Sequence, residues 1–415
     1  MLERLRYIHY DKDTVSRTAF FIYLCTLFVH HGGIGFAVFF LSELFLLILR
    51  KQKIAITTET VWYGLFLIYY FVSGLWALNK EDAFDYGIMV SFLQIMSCTI
   101  ILSNHIDSVD DAVKYLKIYY WALFYMVIVL VIKTPISVWG TERVGGAIYV
   151  NANDIGIRCT TASLMALYYA WRQKVHYAIF IFFMMVGLMS GSRKAFIILV
   201  GGILIYYLGM DRGGKRIRNI CIGLVLISVI IYFAMNNPAF YRIIGIRMEI
   251  TIKNIMGLTV NGLKDRSGME RAFYRENAIQ MFLEKPVLGW GANGFVTRMR
   301  LIHYHHVAYS HCNYTELLAT SGVIGFSIYY SRQFCMLFKG SKAFLNKKNR
   351  LILLLVSLIV VELVIEYFYV SYYAIDTNIL IVIESLLLKY LIRNSRMEYL
   401  LFWKRKNQEA LYGYV

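Results

Sequence analysis

Twelve apolar runs divide the chain, near residues 17–32, 34–49, 60–77, 85–103, 115–132, 153–170, 175–190, 194–209, 218–235, 312–331, 351–368 and 371–392. They are continuous rather than alternating, and their lengths suit helices that cross about 30 Å of hydrocarbon. The pattern predicts an all-α polytopic membrane protein with about twelve transmembrane helices, and it excludes a β-barrel, whose strands alternate. The first two runs meet at "HHGGIG", where Gly32, Gly33 and Gly35 permit a tight reversal.

The polar remainder sorts by charge. With the N-terminus in the cytoplasm, the inside loops carry "RKQK" at 50–53, "WRQK" at 171–174, "DRGGKRIR" at 211–218, the stretch 332–350 and the tail from Arg393. The short outside loops carry only Lys80, Lys133, Arg143, Arg193 and Lys194. Positive charge collects inside in this orientation and in no other, so both termini are expected in the cytoplasm. Residues 1–235 then form an N-terminal bundle of about nine spans. Residues 236–311 form one large extracytoplasmic loop domain between the ninth and tenth spans, residues 312–392 the C-terminal spans, and residues 393–415 a cytoplasmic tail. Ordered loops of such length are usually functional.

Composition fits this plan. The 415 residues are 59% hydrophobic with only 3 prolines, and the net charge of +17 belongs to loops facing anionic lipid rather than to a nucleic-acid surface. The opening "MLERLRYIHYDKDTVSR" lacks the pattern of a removable signal, so the first span is expected to be retained. The six cysteines show no paired spacing, which argues against a disulfide framework or a zinc site.

Four polar stretches fall on the outer side: "ERVGGAIYVNANDIG" (142–156), "SGSRKAF" (190–196), "RAFYRENAIQMFLEKPVLGWGANGF" (271–295) and "SHCNYTELLATSGVIGF" (310–326). Arg193, between two apolar runs, reads either as an interfacial anchor or as an anion clamp whose planar fork matches phosphate. Arg143, Arg271 and Arg275 could join the same field, the last two on one helical face. Gly289, Gly291 and Gly294 signal a tight turn and no nucleotide fingerprint. His311 is the general-base candidate, an imidazole that ordinarily titrates near neutrality. His303, His305 and His306 of "HYHH" raise a metal cluster, against which the absence of helical spacing and of an acidic neighbour speaks. Within the runs, Asp154 with Arg158 reads as an ion pair inside one helix, and Glu362 with Glu366 as a structural pair on one face.

In order, these pieces resemble the O-antigen polymerase and ligase superfamily of bacterial envelope enzymes. The pattern runs from Arg143 through Asn153, the "SGSR" turn and Arg271 to Pro286, Gly289, Gly291 and Phe295, then through His311, Tyr314, Glu316, Leu317, Gly322, Gly325 and Phe326. One position departs: the family's asparagine after the histidine is Cys312, and Asn313 follows it.

The resemblance implies a GT-C-like membrane glycosyltransferase architecture in the bacterial inner membrane, active on its outer face, with no cofactor and no metal. It implies a donor glycan on undecaprenyl diphosphate, with a flippase and a chain-length regulator as candidate partners and no nucleic acid. His311 and Arg193 become the expected catalytic residues. Arg143, Arg271, Arg275, Asn153, Asn313 and Glu316 become the expected diphosphate or sugar ligands. Polymerisation of repeat units for capsule, exopolysaccharide or O-antigen is the leading reading, and ligation to a lipid A core the alternative. A lipid-linked oligosaccharide transporter is the rival class, and it would place polar groups at the bilayer midplane and show internal repeats.

Overall fold

A computed structural model describes residues 12–210 apart from 51–53, then 266–302 and 309–412, with scattered positions between 217 and 253. Most of the ninth apolar run, "DRGGKRIR" apart from its last two residues, much of the large loop and "HYHH" lie outside the described residues. The described residues form helices and turns with no strand. The helices are α1 (Lys12–Phe28), α2 (Gly32–Arg50), α3 (Thr58–Ser73), α4 (Tyr86–His105), α5 (Val109–Lys133), α6 (Ala152–Ala170) and α7 (Val175–Met189). Then come α8 (Arg193–Met210), α9 (Arg266–Glu284), α10 (Gly294–Ile302), α11 (Asn313–Lys347), α12 (Arg350–Glu366) and α13 (Ile375–Tyr412).

Polar residues set where the apolar helices begin. The side chains of Thr57, Asp85, Ser108, Asn151 and Asn349 accept hydrogen bonds from the first free N–H groups of α3, α4, α5, α6 and α12. Two stretches, Lys80–His105 and Val109–Lys133, are long and apolar enough to cross a membrane. Large apolar side chains also face outward, among them Ile34, Ile68, Leu93, Ile132, Ile197 and Phe338. Water would penalise such a coat, and lipid would not.

Three expectations change. The reversal between α1 and α2 puts His30, not a glycine, at positive φ (66°). Of its glycines, Gly35 has the tightest need, since a Cβ there would lie 1.8 Å from Thr26 Oγ1. The tail expected from residue 393 continues α13 to Tyr412, because "RNSRMEYLLFWKRKNQEALY" contains neither proline nor glycine to stop a helix. The Arg158 guanidinium pairs across helices with Asp376 at 2.9 Å, not with Asp154 inside its own helix. Arg158 thereby ties α6 to α13, which packs against α3, α4, α5, α11 and α12.

The feature that organises the upper part of the bundle is a break in α11 at Gly322 (φ 61°, ψ −168°). A continuous helix would pair the N–H groups of Val323 and Ile324 with the carbonyls of Ala319 and Thr320. The segment Pro286–Gly291 takes all four groups instead. Trp290 and Gly291 donate to the Ala319 and Thr320 carbonyls at 2.9 Å each. Val323 and Ile324 donate to the carbonyls of Pro286 and Val287 at 2.9 and 3.4 Å. The Tyr69 hydroxyl caps the freed Ser321 carbonyl at 2.7 Å. Such a break survives inside an apolar bundle only because every freed group finds a partner.

The strands of backbone approach too closely for side chains. A Cβ on Gly289 (φ 68°) would lie 2.5 Å from the Thr320 carbonyl, and one on Gly322 would lie 2.3 Å from the Val287 oxygen. We expect Gly289→Ala to lower stability by more than the ~1–3 kcal/mol of the backbone strain alone, read from thermal unfolding in detergent. Gly201→Ala, where a Cβ meets open space, should be neutral or stabilising in the same measurement.

Candidate functional site

The four polar stretches meet at one end of the bundle. Arg143 is the first staple: its Nε donates to the Ser190 carbonyl and its Nη2 to Asn153 Oδ1, both at 2.7 Å. It thereby fixes the "SGSR" turn that delivers Arg193 and Lys194 to the start of α8. Gly191 (φ 61°) makes that turn, and a Cβ on it would crowd the Ile243 carbonyl at 2.9 Å. The break in α11 is the second staple, because the segment it grips follows directly from α9, the helix of Arg271 and Arg275.

His311 stands at positive φ (59°), an unusual conformation for a residue with a side chain. A local network holds it there. The Ser310 N–H donates to Glu316 Oε2 at 2.6 Å, and the Ser310 hydroxyl donates to the Cys312 carbonyl at 2.8 Å. Glu316 is buried, so it braces the turn from behind. Asn313, also buried, accepts the N–H groups of Ser371 and Tyr372 at 2.9 and 3.1 Å and donates to the Tyr330 hydroxyl at 2.8 Å. It ties the 367–374 turn to α11. Cys312 is buried as well. The imidazole lies beside Tyr309 and Tyr274, with ring centroids 4.2 and 6.2 Å away.

Cations surround this imidazole. Burial first, then the charges of Arg271, Lys194 and Arg275, push its pKa down to about 4. The expectation of titration near neutrality is thus corrected: the ligand-free site keeps His311 neutral. Lys194 in turn feels the charges of Arg271, Arg275 and its neighbour Arg193. The wall opposite is the 367–374 turn, where Lys194 Nζ donates to the Phe368 carbonyl at 2.9 Å and Arg275 lies over the Tyr367 ring at 5.2 Å.

The structure therefore gathers Arg193, Arg271, Arg275 and His311 in one place, with Arg143 and Asn153 bonded to each other at its edge. Asn313 and Glu316 lie behind it, engaged in the scaffold. Lys194, Tyr309 and Tyr274 join the site without having been singled out. Lys194 was visible beside Arg193 but read only as a loop charge, and the tyrosines carry no motif. Glu366 accepts a hydrogen bond from the Ser371 hydroxyl near this end, while Glu362 is buried without a hydrogen-bond partner. Among the described residues no group of His, Cys, Asp or Glu could hold a metal ion.

An unfolded imidazole, with its ordinary pKa of 6.5, binds a proton before the folded one does. His311 therefore favours folding fully above that value, and its contribution is lost as pH falls through about 6.5 toward 4. Histidine NMR of the protein should show His311 titrating well below the ordinary imidazole value of 6.5. Arg271→Gln should move its midpoint up more than Arg275→Gln does; a wild-type midpoint at the ordinary value would contradict the arrangement.

No curated protein matches the chain. Residues 177–330 match the model of a family described as O-antigen ligase. The matched region holds Arg193, Lys194, Arg271, Arg275 and His311, with the bracing Asn313 and Glu316, while Arg143 and Asn153 precede it. That shared region contains the imidazole and the cations Lys194, Arg271 and Arg275 around it, and it makes this part of the chain similar to the O-antigen ligase family.

Proposed function

We propose that the protein is a glycosyltransferase of the bacterial cytoplasmic membrane that polymerises undecaprenyl-diphosphate-linked oligosaccharide repeat units. Twelve spans, cytoplasmic termini and a site on the outer face complete the reading, as the charge pattern of the loops suggests. The observation that carries it is a neutral imidazole set among Lys194, Arg271 and Arg275, next to Arg193.

The chemistry follows from that grouping. The acceptor sugar hydroxyl attacks the anomeric carbon of the donor, and His311 takes the hydroxyl proton. The bond from the anomeric carbon to the diphosphate oxygen breaks, and undecaprenyl diphosphate leaves with the electron pair. Arg193, Arg271, Arg275 and Lys194 stabilise the charge growing on that leaving group. Direct displacement inverts the anomeric centre. The bound diphosphate also offsets the cations that depress His311, so the imidazole becomes a stronger base once donor is present. Arg143, Asn153, Asn313 and Glu316 act on this reading by holding the two turns in place. A flippase supplying the donor and a chain-length regulator are the partners it calls for.

The ligase reading has one observation in its favour, the description of the matching family. It keeps the same donor, base and cations and replaces the acceptor by a lipid A core.

The purified protein in detergent should form polymer from a lipid-diphosphate repeat unit in the presence of EDTA and without nucleotide. His311→Ala should lower the rate by about 10²–10⁴ and Arg193→Ala by about 10²–10³, with both variants eluting as folded protein. Transfer only to an added lipid A core would make the protein a ligase. Transfer to neither acceptor, or full activity in both variants, would remove the mechanism.

A further inference from the structure

The other end of α11 carries a second cationic feature that the reaction does not use. A cleft of about 700 Å³ opens between the C-terminal half of α11 and the middle of α13, with the start of α3 at its edge. Six cations line it: Arg332, Lys339, Lys342, Lys347, Lys389 and Arg393. Arg332, Lys339, Lys342 and Lys347 come from α11, and Lys389 and Arg393, four apart, from α13, so both helices turn basic residues toward the same space. Among the described residues the lining holds no aspartate or glutamate. Glu59, fully buried at the start of α3, bonds Arg332, with Lys389 at 3.8 Å. Six cations on the lining against the carboxylate of Glu59 leave a surplus of positive charge facing into the cleft.

The walls are not those of a site for a small soluble anion. Met336 and Leu388 are buried in its floor, Ile392 lines it, and Phe338 stands at it with 70% of its surface exposed. Cationic side chains beside outward-facing apolar ones match a molecule with an anionic head and an apolar body. The cleft begins at residue 332, at most about 28 Å along the helix from Asn313. That separation is about the thickness of a bilayer core.

We propose that this cleft binds the phosphate headgroup of an anionic phospholipid, at the membrane face opposite His311. Arg332 and Lys389, set deepest by Glu59, form the floor contact, and the lysines of α11 close around the phosphate. The proposal does not depend on the reaction assigned above.

The test uses the purified full-length chain in nanodiscs of phosphatidylcholine with or without phosphatidylglycerol, with lipid retained on release counted by native mass spectrometry. Phosphatidylglycerol should be retained at least about tenfold more than phosphatidylcholine. Lys339→Gln with Lys342→Gln, both exposed in the wild type, should reduce that retention about tenfold without lowering the melting temperature. Lys342→Gln with Lys347→Gln should repeat the effect. Arg172→Gln with Lys174→Gln removes the same charge from the 171–174 turn outside the cleft and should change nothing. Equal losses in the cleft and control variants would overturn the proposal and leave only a diffuse basic surface. So would equal retention of phosphatidylcholine, or displacement of the lipid by inorganic phosphate, which would make the cleft a soluble-anion site.

Discussion

Four backbone hydrogen bonds between Pro286–Gly291 and the break in α11 are the constraint on which the site rests. Among the described residues the large loop contributes Arg271, Tyr274 and Arg275 from α9, which ends at Glu284 just before the segment that enters that break, and Tyr309 and His311 from the turn ahead of α11. Everything that α11 contributes begins a few residues before it. Side-chain contacts alone would leave two long cationic side chains and an imidazole in loose register. Backbone bonds at both rims of a helix break have far less freedom. The glycines at 289, 291 and 322 are there because backbone must touch backbone, and no other residue leaves that space.

A cluster of like charges around a histidine is costly to assemble, and the bundle contributes the means in two ways. Burial takes water away from the imidazole, so its neutral form is preferred and adds no further positive charge. Carbonyls and aromatic faces then take the place of counter-ions, as at Phe368 for Lys194 and Tyr367 for Arg275. The result is a site in which several cations are held around one neutral imidazole. Such prior organisation is what transition-state stabilisation of a leaving diphosphate needs.

Much of this was legible in the sequence, and the reason differs from part to part. Helix positions followed from the length of apolar runs and from the capping residues between them. The common end of the four polar stretches followed from charge bias in other loops, and the contacts of Arg143 with Ser190 and of Tyr274 with His311 join them. Pairings between distant residues did not follow. Asp376 is as plausible a partner for Arg158 as Asp154 only once α6 and α13 are packed. The break at Gly322 was equally hidden, since a glycine in an apolar run reads as a small contact residue. Asn313 and Glu316 carried the motif, but which side of the turn each serves depends on where the 367–374 segment returns. The pKa of His311 belongs to the same class, because burial and neighbours from three segments set it.

The interruption in α11 also bears on the order in which the chain is made. Synthesis runs from the N-terminus, so residues 286–291 exist before residues 319–324 do. The piece that completes the broken helix is therefore waiting when the helix emerges, and the open carbonyls and N–H groups need never face lipid. Reversing the order, as a circular permutation that moved residues 266–302 behind α13 would do, would ask an unfinished helix to enter a bilayer. The break thus fixes a direction of assembly as well as a shape.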